Sequence, residues 1–235
     1  MSATSTSSVT ATSRTARFSR GLRLGLPIFL GYVPVGTAFG ILAHGLGFTP
    51  FQAMACSATA LAGAGQFIAL ALMRSGAAAL TVVAATTVVN LRYVLFGAAL
   101  SPYARGIPLG GQALLGFSLT DETFAVNIDD NRQGRADLLS MTGVGAVAWV
   151  GWVLGTALGA LAGGLIEDPM RWGVQFAMPA MFSALLVAQI ESRRHAAIAV
   201  VAGLLTLGFM LVLPDRWYVV ATPIVAATIG AVTSR

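Results

Sequence analysis

Residues 24–73 read LGLPIFLGYVPVGTAFGILAHGLGFTPFQAMACSATALAGAGQFIALALM, and they contain no Asp, Glu, Lys or Arg. A helix needs about 20 apolar residues to cross the hydrocarbon of a bilayer, so this stretch has room for two such segments. A helix on a water-soluble domain keeps one polar face, and no such face exists here. Residues 138–166, 172–190, 196–214 and 217–234 lack the same four residue types. Apolar residues make up 56% of the 235, charged residues 10%, and mean hydropathy is +0.79. Soluble domains carry about 25% charged residues. The chain is read as an all-α integral membrane protein, a bundle of seven or eight transmembrane helices.

Eight apolar segments follow one another, at 25–46, 51–73, 76–100, 108–128, 138–165, 170–190, 196–213 and 217–234. The fourth contains Asp121 and Glu122 and is read either as a crossing or as a re-entrant segment. Residues 1–23 are read as a disordered basic tail, rich in Ser, Thr and Ala and ending in Arg14, Arg17, Arg20 and Arg23; residues 24–235 form the membrane domain. The four arginines resemble the start of a signal peptide, but the apolar run continues without a small-residue cleavage site, so an uncleaved first helix is expected. Formal net charge is +5, and all fourteen basic residues are Arg. They stand singly in short loops and at the N-terminus, a pattern that orients a membrane protein rather than one that binds nucleic acid. With eight crossings, the arginine count places both termini in the cytoplasm. The lone Cys56 lies in an apolar stretch and has no intrachain partner.

An internal echo runs through the chain. Residues 36–50 read GTAFGILAHGLGFTP and residues 155–169 read GTALGALAGGLIEDP, identical at nine of fifteen positions. The repeats would cover about 24–130 and 138–235, parallel if the fourth segment crosses and inverted if it re-enters. Repeats of this kind place transporter sites at their interface. Gly151, Gly155, Gly159 and Gly163 fall on one helical face, where small residues let backbones approach closely in lipid.

Polar groups inside hydrocarbon cost a few kcal/mol each, about 3 for a charge at the centre of a span, so function is sought there. In GYVPVG (residues 31–36), Pro34 removes a backbone donor and the glycines loosen the chain, which predicts a kink or a broken first helix; freed backbone groups could hold a ligand, or the kink could be packing only. Gln66, among small residues, offers a donor and an acceptor, or serves as interhelical glue. Asn90 and Arg92 point to different faces. Arg92 lies roughly 12 Å before the end of its span and requires an anion: Asp121, Glu122 or a ligand carboxylate. One acid could pair with Arg92 while the other exchanges a proton, and Thr120 or Asp121 could cap a restarted half-helix. His44 and His195 lack metal-type spacing, and neither a phosphate loop nor a nucleophile elbow occurs. No enzymatic activity, cofactor or metal is expected.

The stretches LGYVPVGTAFGILA (30–43), AGAGQFIALAL (62–72), NLRYVLFGAALSPY (90–103) and LTDETFAV (119–126) together resemble the AzlC-type family, the large subunit of bacterial branched-chain amino acid exporters. The resemblance implies a small AzlD-type membrane subunit as partner, the bacterial cytoplasmic membrane as location, and export of branched-chain amino acids driven by the proton motive force. The motif positions it carries over are Tyr32, Pro34, Gly36, Gln66, Asn90, Arg92, Asp121 and Glu122; the chemistry of the residues, not the resemblance, makes the first six substrate-binding candidates and Asp121 and Glu122 proton-coupling candidates. The resulting expectation is a secondary transporter of hydrophobic amino acids. A channel or a carrier for another small solute, and a membrane scaffold without transport, are the alternatives; a scaffold has little use for Arg, Asp and Glu at bilayer depth.

Overall fold

The computed structural model describes residues 13–166 and 192–212 continuously, and also 171, 173–174, 176–177, 179–180, 183, 186–187, 190, 221–222, 225–226 and 228–230. Within them all regular structure is helical: α1 (Arg14–Gly45), α2 (Pro50–Thr59), α3 (Gly63–Arg74), α4 (Ala79–Asn90), α5 (Arg92–Leu100), α6 (Leu109–Phe117), α7 (Asp121–Arg132), α8 (Leu138–Ala162) and α9 (Arg193–Val212), with short 3-10 turns at Gly163–Leu165 and Val174–Phe176. Four helices among the described residues are long and apolar enough to cross a membrane: Arg14–Gly45, Ala79–Ala104, Leu138–Leu165 and Arg193–Val212. The chain divides into two compact units, Met1–Met178 and Pro179–Arg235. In the second, α9 buries no side chain among those described, and Arg194 Nη2 donates to Gly230 O at 3.4 Å.

Two expectations about the start of the chain are corrected. Helix α1 begins at Arg14, so residues 14–23 are not a disordered tail; residues 1–12 lie outside the described residues. Ser13 caps the helix, its Oγ accepting from Ala16 N at 3.2 Å, and Arg17 and Arg20 are held by ion pairs. Nor is the first helix broken. Its 32 residues run through Pro27 and Pro34 without interruption. Thr37 Oγ1 donates to Val33 O at 2.8 Å, in the turn after Pro34, and α1 packs closely against α8 on both sides of it.

That packing is the core of the first unit. Helices α1 and α8 lie side by side and point the same way: Gly21 meets the backbone of Ser140, Gly36 that of Trp152, and Gly163 the side chain of His44. A methyl group on Gly40 would strike Thr156 O, and one on Gly159 would strike Thr37 O. The contacts are reciprocal: Gly40 and Gly159 are 119 residues apart, as are Thr37 and Thr156, and each glycine faces the other helix's threonine. An approximate two-fold axis parallel to the two helices produces this pattern, and it uses the offset of the sequence echo. The Gly151–Gly163 face thus seats α1.

The shorter helices enter this frame from opposite ends. Helix α2 starts where α1 finishes, after a turn at Gly47 (φ 86°), with Thr49 and Gln52 forming a capping box. It runs inward until Ser57 Oγ lies 2.7 Å from Thr156 Oγ1 and Trp149 Nε1 donates to Ala58 O at 3.0 Å. After three irregular residues, α3 restarts with Gly63 on the Trp152 ring. Helix α4 packs antiparallel to α3, with Asn90 on Gly65, and continues past Leu91 into α5. The far end of α5, Leu100, clusters with Leu119 and Met141 near the start of α8. Since 79–104 is one span, α3 must return to the end from which α2 came.

Helices α6 and α7 repeat the plan from the other end. Gly111 packs on Leu138 at the start of α8, Ser118 on Gly145 partway along it, and α7 then turns back until Asp130 reaches Arg20. The segments 51–73 and 108–128 are therefore both re-entrant pairs of half-helices, a form the sequence held open only for the second. Irregular backbone at membrane depth survives only inside protein or along a wet cavity. Here Thr123 Oγ1 donates to Ser118 O at 2.8 Å and receives Thr120 N at 2.8 Å, which satisfies the α6–α7 tip.

Asp130, buried at 5% exposure, fastens the base of this hairpin. Arg20 donates to both its carboxylate oxygens, one at 2.9 Å, and Arg135 Nε lies 3.4 Å away. Arg17 pairs with Asp137 at 3.5 Å. Asp130→Asn should lower stability in detergent by about 1–3 kcal/mol, the range for hydrogen bonds to charged groups. An unchanged melting temperature would show that the base is held by packing instead.

Candidate functional site

The α7 half-helix begins in the middle of the first unit because a capping box starts it there: Thr120 Oγ1 accepts Thr123 N at 3.2 Å, and Thr123 Oγ1 accepts Thr120 N. Capping explains the start of the helix, and it also fixes where the two acids that follow must point. Adjacent residues on a helix diverge by about 100°, so Asp121 and Glu122 face different partners.

Asp121 Oδ2 lies 3.0 Å from Arg92 Nη2, and both side chains keep about a fifth to a quarter of their surface open, at 21% and 24%. Arg92 also lies over the Tyr93 ring, 5.2 Å from its centre. Arg92 starts α5 directly after Asn90 ends α4, with Leu91 between them in helical conformation (φ −55°, ψ −24°). Glu122 turns instead to α1, where its Oε2 lies 2.5 Å from the Tyr32 hydroxyl, which also sits 2.8 Å from Thr120 Oγ1. Tyr32 has one hydroxyl proton for these two neighbours. An ionised Glu122 can only accept, so Tyr32 then donates to it and receives from Thr120. A protonated Glu122 can donate to Tyr32, which turns its own proton to Thr120. The cluster offers a hydrogen-bond arrangement for each state of the acid.

A second polar chain begins on the other side of Tyr32. Its ring meets Trp152 edge-on at 5.2 Å. Trp152 Nε1 donates to Gln66 Oε1 at 2.8 Å, and Gln66 Nε2 donates to Ser57 Oγ at 3.2 Å. Ser57 in turn bonds Thr156. Trp152 is 1% exposed and Gln66 5%, so these bonds form out of reach of water, where an unmade one is costly.

Six of the eight sequence candidates thus gather around the two tips: Tyr32, Gln66, Asn90, Arg92, Asp121 and Glu122. Asn90 lies against Gly65 beside the start of α3, its Oδ1 buried without a hydrogen-bond partner. Pro34 stands apart, exposed on the outer face of α1. Gly36 is filled from behind by α8, a Cβ there lying 2.8 Å from Trp152 O, so it serves the helix seam rather than a ligand. The sequence missed Trp152, Ser57 and Thr156. Their signal was present in the glycine face of α8, because an aromatic and a hydroxyl on that face must lie beside α1 and the α2 tip. A half-open apolar crevice between α6 and α8, lined by Phe18, Leu114, Phe117, Leu139 and Trp149, reaches the tip at Ser118 without touching either acid.

The family described as AzlC protein matches residues 27–166. The inner membrane protein YgaZ of Escherichia coli K12 is 35% identical over 191 residues, 76% of each chain. An uncharacterized membrane protein of Archaeoglobus fulgidus is 33% identical over 201 residues, 85% of this chain and 87% of that one. The branched-chain amino acid transport protein AzlC of Bacillus subtilis is 27% identical over 182 residues, 77% of this chain and 71% of that one. No solved structure matches.

Proposed function

The chain belongs to the AzlC family, and from that premise we propose that it is a secondary transporter exporting hydrophobic, chiefly branched-chain, amino acids in exchange for protons. The name of the Bacillus relative supports the substrate class. The AzlD-type subunit beside it rests on family resemblance. The bacterial cytoplasmic membrane is the proposed location. The arginines at the α1 start, Arg105, and Arg132 and Arg135 share one end, while Arg74 lies at the other, so the positive-inside rule puts the N-terminus in the cytoplasm. The two repeats, about 24–130 and 138–235, are parallel in this reading, as α1 and α8 are.

One observation carries the mechanism: the α6–α7 tip holds two carboxylates, one on a cation and one on a phenol. Arg92 presents a planar fork suited to a carboxylate. A substrate carboxylate can take the place of Asp121, which then faces the substrate ammonium. Asn90 Oδ1 and Gln66 line the opposite tip, and Glu122, served by Tyr32, takes and releases the coupling proton. Apolar surroundings distinguish side chains by only about 1–3 kcal/mol per methylene, so leucine, isoleucine and valine are all accepted.

Proteoliposomes holding both subunits test this. Acid outside should drive leucine out, with about tenfold disequilibrium per pH unit for one proton, since 1.4 kcal/mol is a factor of ten. Glu122→Gln should leave leucine exchange but abolish the response to the pH gradient. Absence of leucine movement in the unmodified protein would overturn the substrate; a gradient response that survives Glu122→Gln would overturn the role of Glu122.

A further inference from the structure

The two hairpin tips come from opposite ends of the frame, and one side chain touches the groups that hold both. Trp152 lies in α8 between them. Toward α3 its ring faces Gly63, where a Cβ would stand 2.9 Å from Cη2, and its Nε1 donates to Gln66. Toward α7 it meets the edge of the Tyr32 ring, whose hydroxyl holds Glu122 and Thr120. Phe39 stacks on it at 6.4 Å and closes the remaining side.

We propose that Trp152 is a positioning residue through which each hairpin senses the state of the other. The indole is rigid and fully packed, so it cannot absorb a shift of Tyr32 without moving. Its one N–H has a single acceptor, Gln66 Oε1. When the hydrogen bonding of Glu122 changes, Tyr32 shifts against the indole edge, and the indole passes the displacement to Gln66 and the α2–α3 tip. The titratable groups near Glu122 include its neighbour Asp121, paired with Arg92, Tyr93 from α5 and Tyr32 from α1. Trp152 packs on Tyr32. In the transport reading, on which this purpose rests, the link keeps the two hairpins from opening together.

The chain supplies its own reporter. Cys56 is its single cysteine, partly exposed on α2, with Sγ 3.5 Å from Gln66 Nε2. The probe is the rate of Cys56 alkylation by a small maleimide, on full-length protein in nanodiscs, at one fixed pH. With Trp152 present, Glu122→Gln should change that rate at least about fivefold, the low end of ordinary coupling between sites. In Trp152→Phe the same Glu122→Gln change should be reduced to within about twofold, the limit of additivity for uncoupled sites. Gln66→Leu, which leaves the indole packed but removes its acceptor, should do the same and stands in if Trp152→Phe fails to fold. The inference is overturned if Glu122→Gln leaves the Cys56 rate alone in the unmodified chain, or if the full effect survives Trp152→Phe or Gln66→Leu. Labelling needs no substrate. Coupled labelling without leucine flux would sink the transport reading alone, and proton-coupled flux with a labelling effect indifferent to Trp152 would sink this one alone.

Discussion

Arg92→Ala should abolish the proposed amino acid export, lowering flux by a factor of about one hundred or more. Removing one partner of a buried charged pair costs about 2–5 kcal/mol, and each 1.4 kcal/mol is tenfold. Two effects are mixed in that loss, and they separate by design. Arg92→Ala strands the Asp121 carboxylate at membrane depth, which destabilises the fold as well as the site. Arg92→Ala/Asp121→Ala removes both charges, and replacing both members of such a pair is often nearly neutral for stability. The double variant should therefore melt close to the unmodified protein yet remain inactive. Arg92→Lys keeps the charge but loses the planar fork, so transport should fall while stability holds. If the double variant exports leucine at the normal rate, the pair is only a structural tie.

The second large effect concerns stability alone. Gly159→Ala should cost about 3 kcal/mol, at the upper end for overpacking a well-filled interior, because the added methyl meets the carbonyl oxygen of Thr37 rather than a side chain that could turn away. Gly40→Ala should behave alike, since its methyl meets Thr156 O and, at 2.6 Å, Ala160 N. Gly31→Ala is the contrast. It lies in the same helix with open space around it, and alanine in a helix interior is favoured over glycine by about 0.5–1 kcal/mol, so that variant should gain stability. Thermal melting in detergent reads all three. Equal melting temperatures would mean that the α1–α8 seam has slack.

The split between what the sequence showed and what it hid follows from the range of the forces. The membrane class follows from composition, and the partnership of Arg92 with an acid from the cost of a lone charge in oil. The restart at Thr120 is legible for a local reason, a hydroxyl three residues before another, and the division of labour between Asp121 and Glu122 follows from helical geometry. Pro34 misled because its local effect was overruled by packing 119 residues away. The re-entrant course of 51–73 was hidden because ALAG (residues 60–63) carries no strong breaker, and a return differs from a crossing only in what it packs against. Trp152 was hidden likewise: its meaning lies in partners on two other helices.

A seam in which main chain touches main chain has no compressible filling. Along Gly21–Gly40 and Gly143–Gly163 the two long helices meet largely through main chain, with Phe29, Val147 and His44 set against glycines, and behave as one double rod. Rocking one half of the molecule against the other would have to pry that rod apart. In the proposed transport cycle the alternation of access would fall instead to the stubby half-helices, 9 to 12 residues long, swinging against a fixed keel.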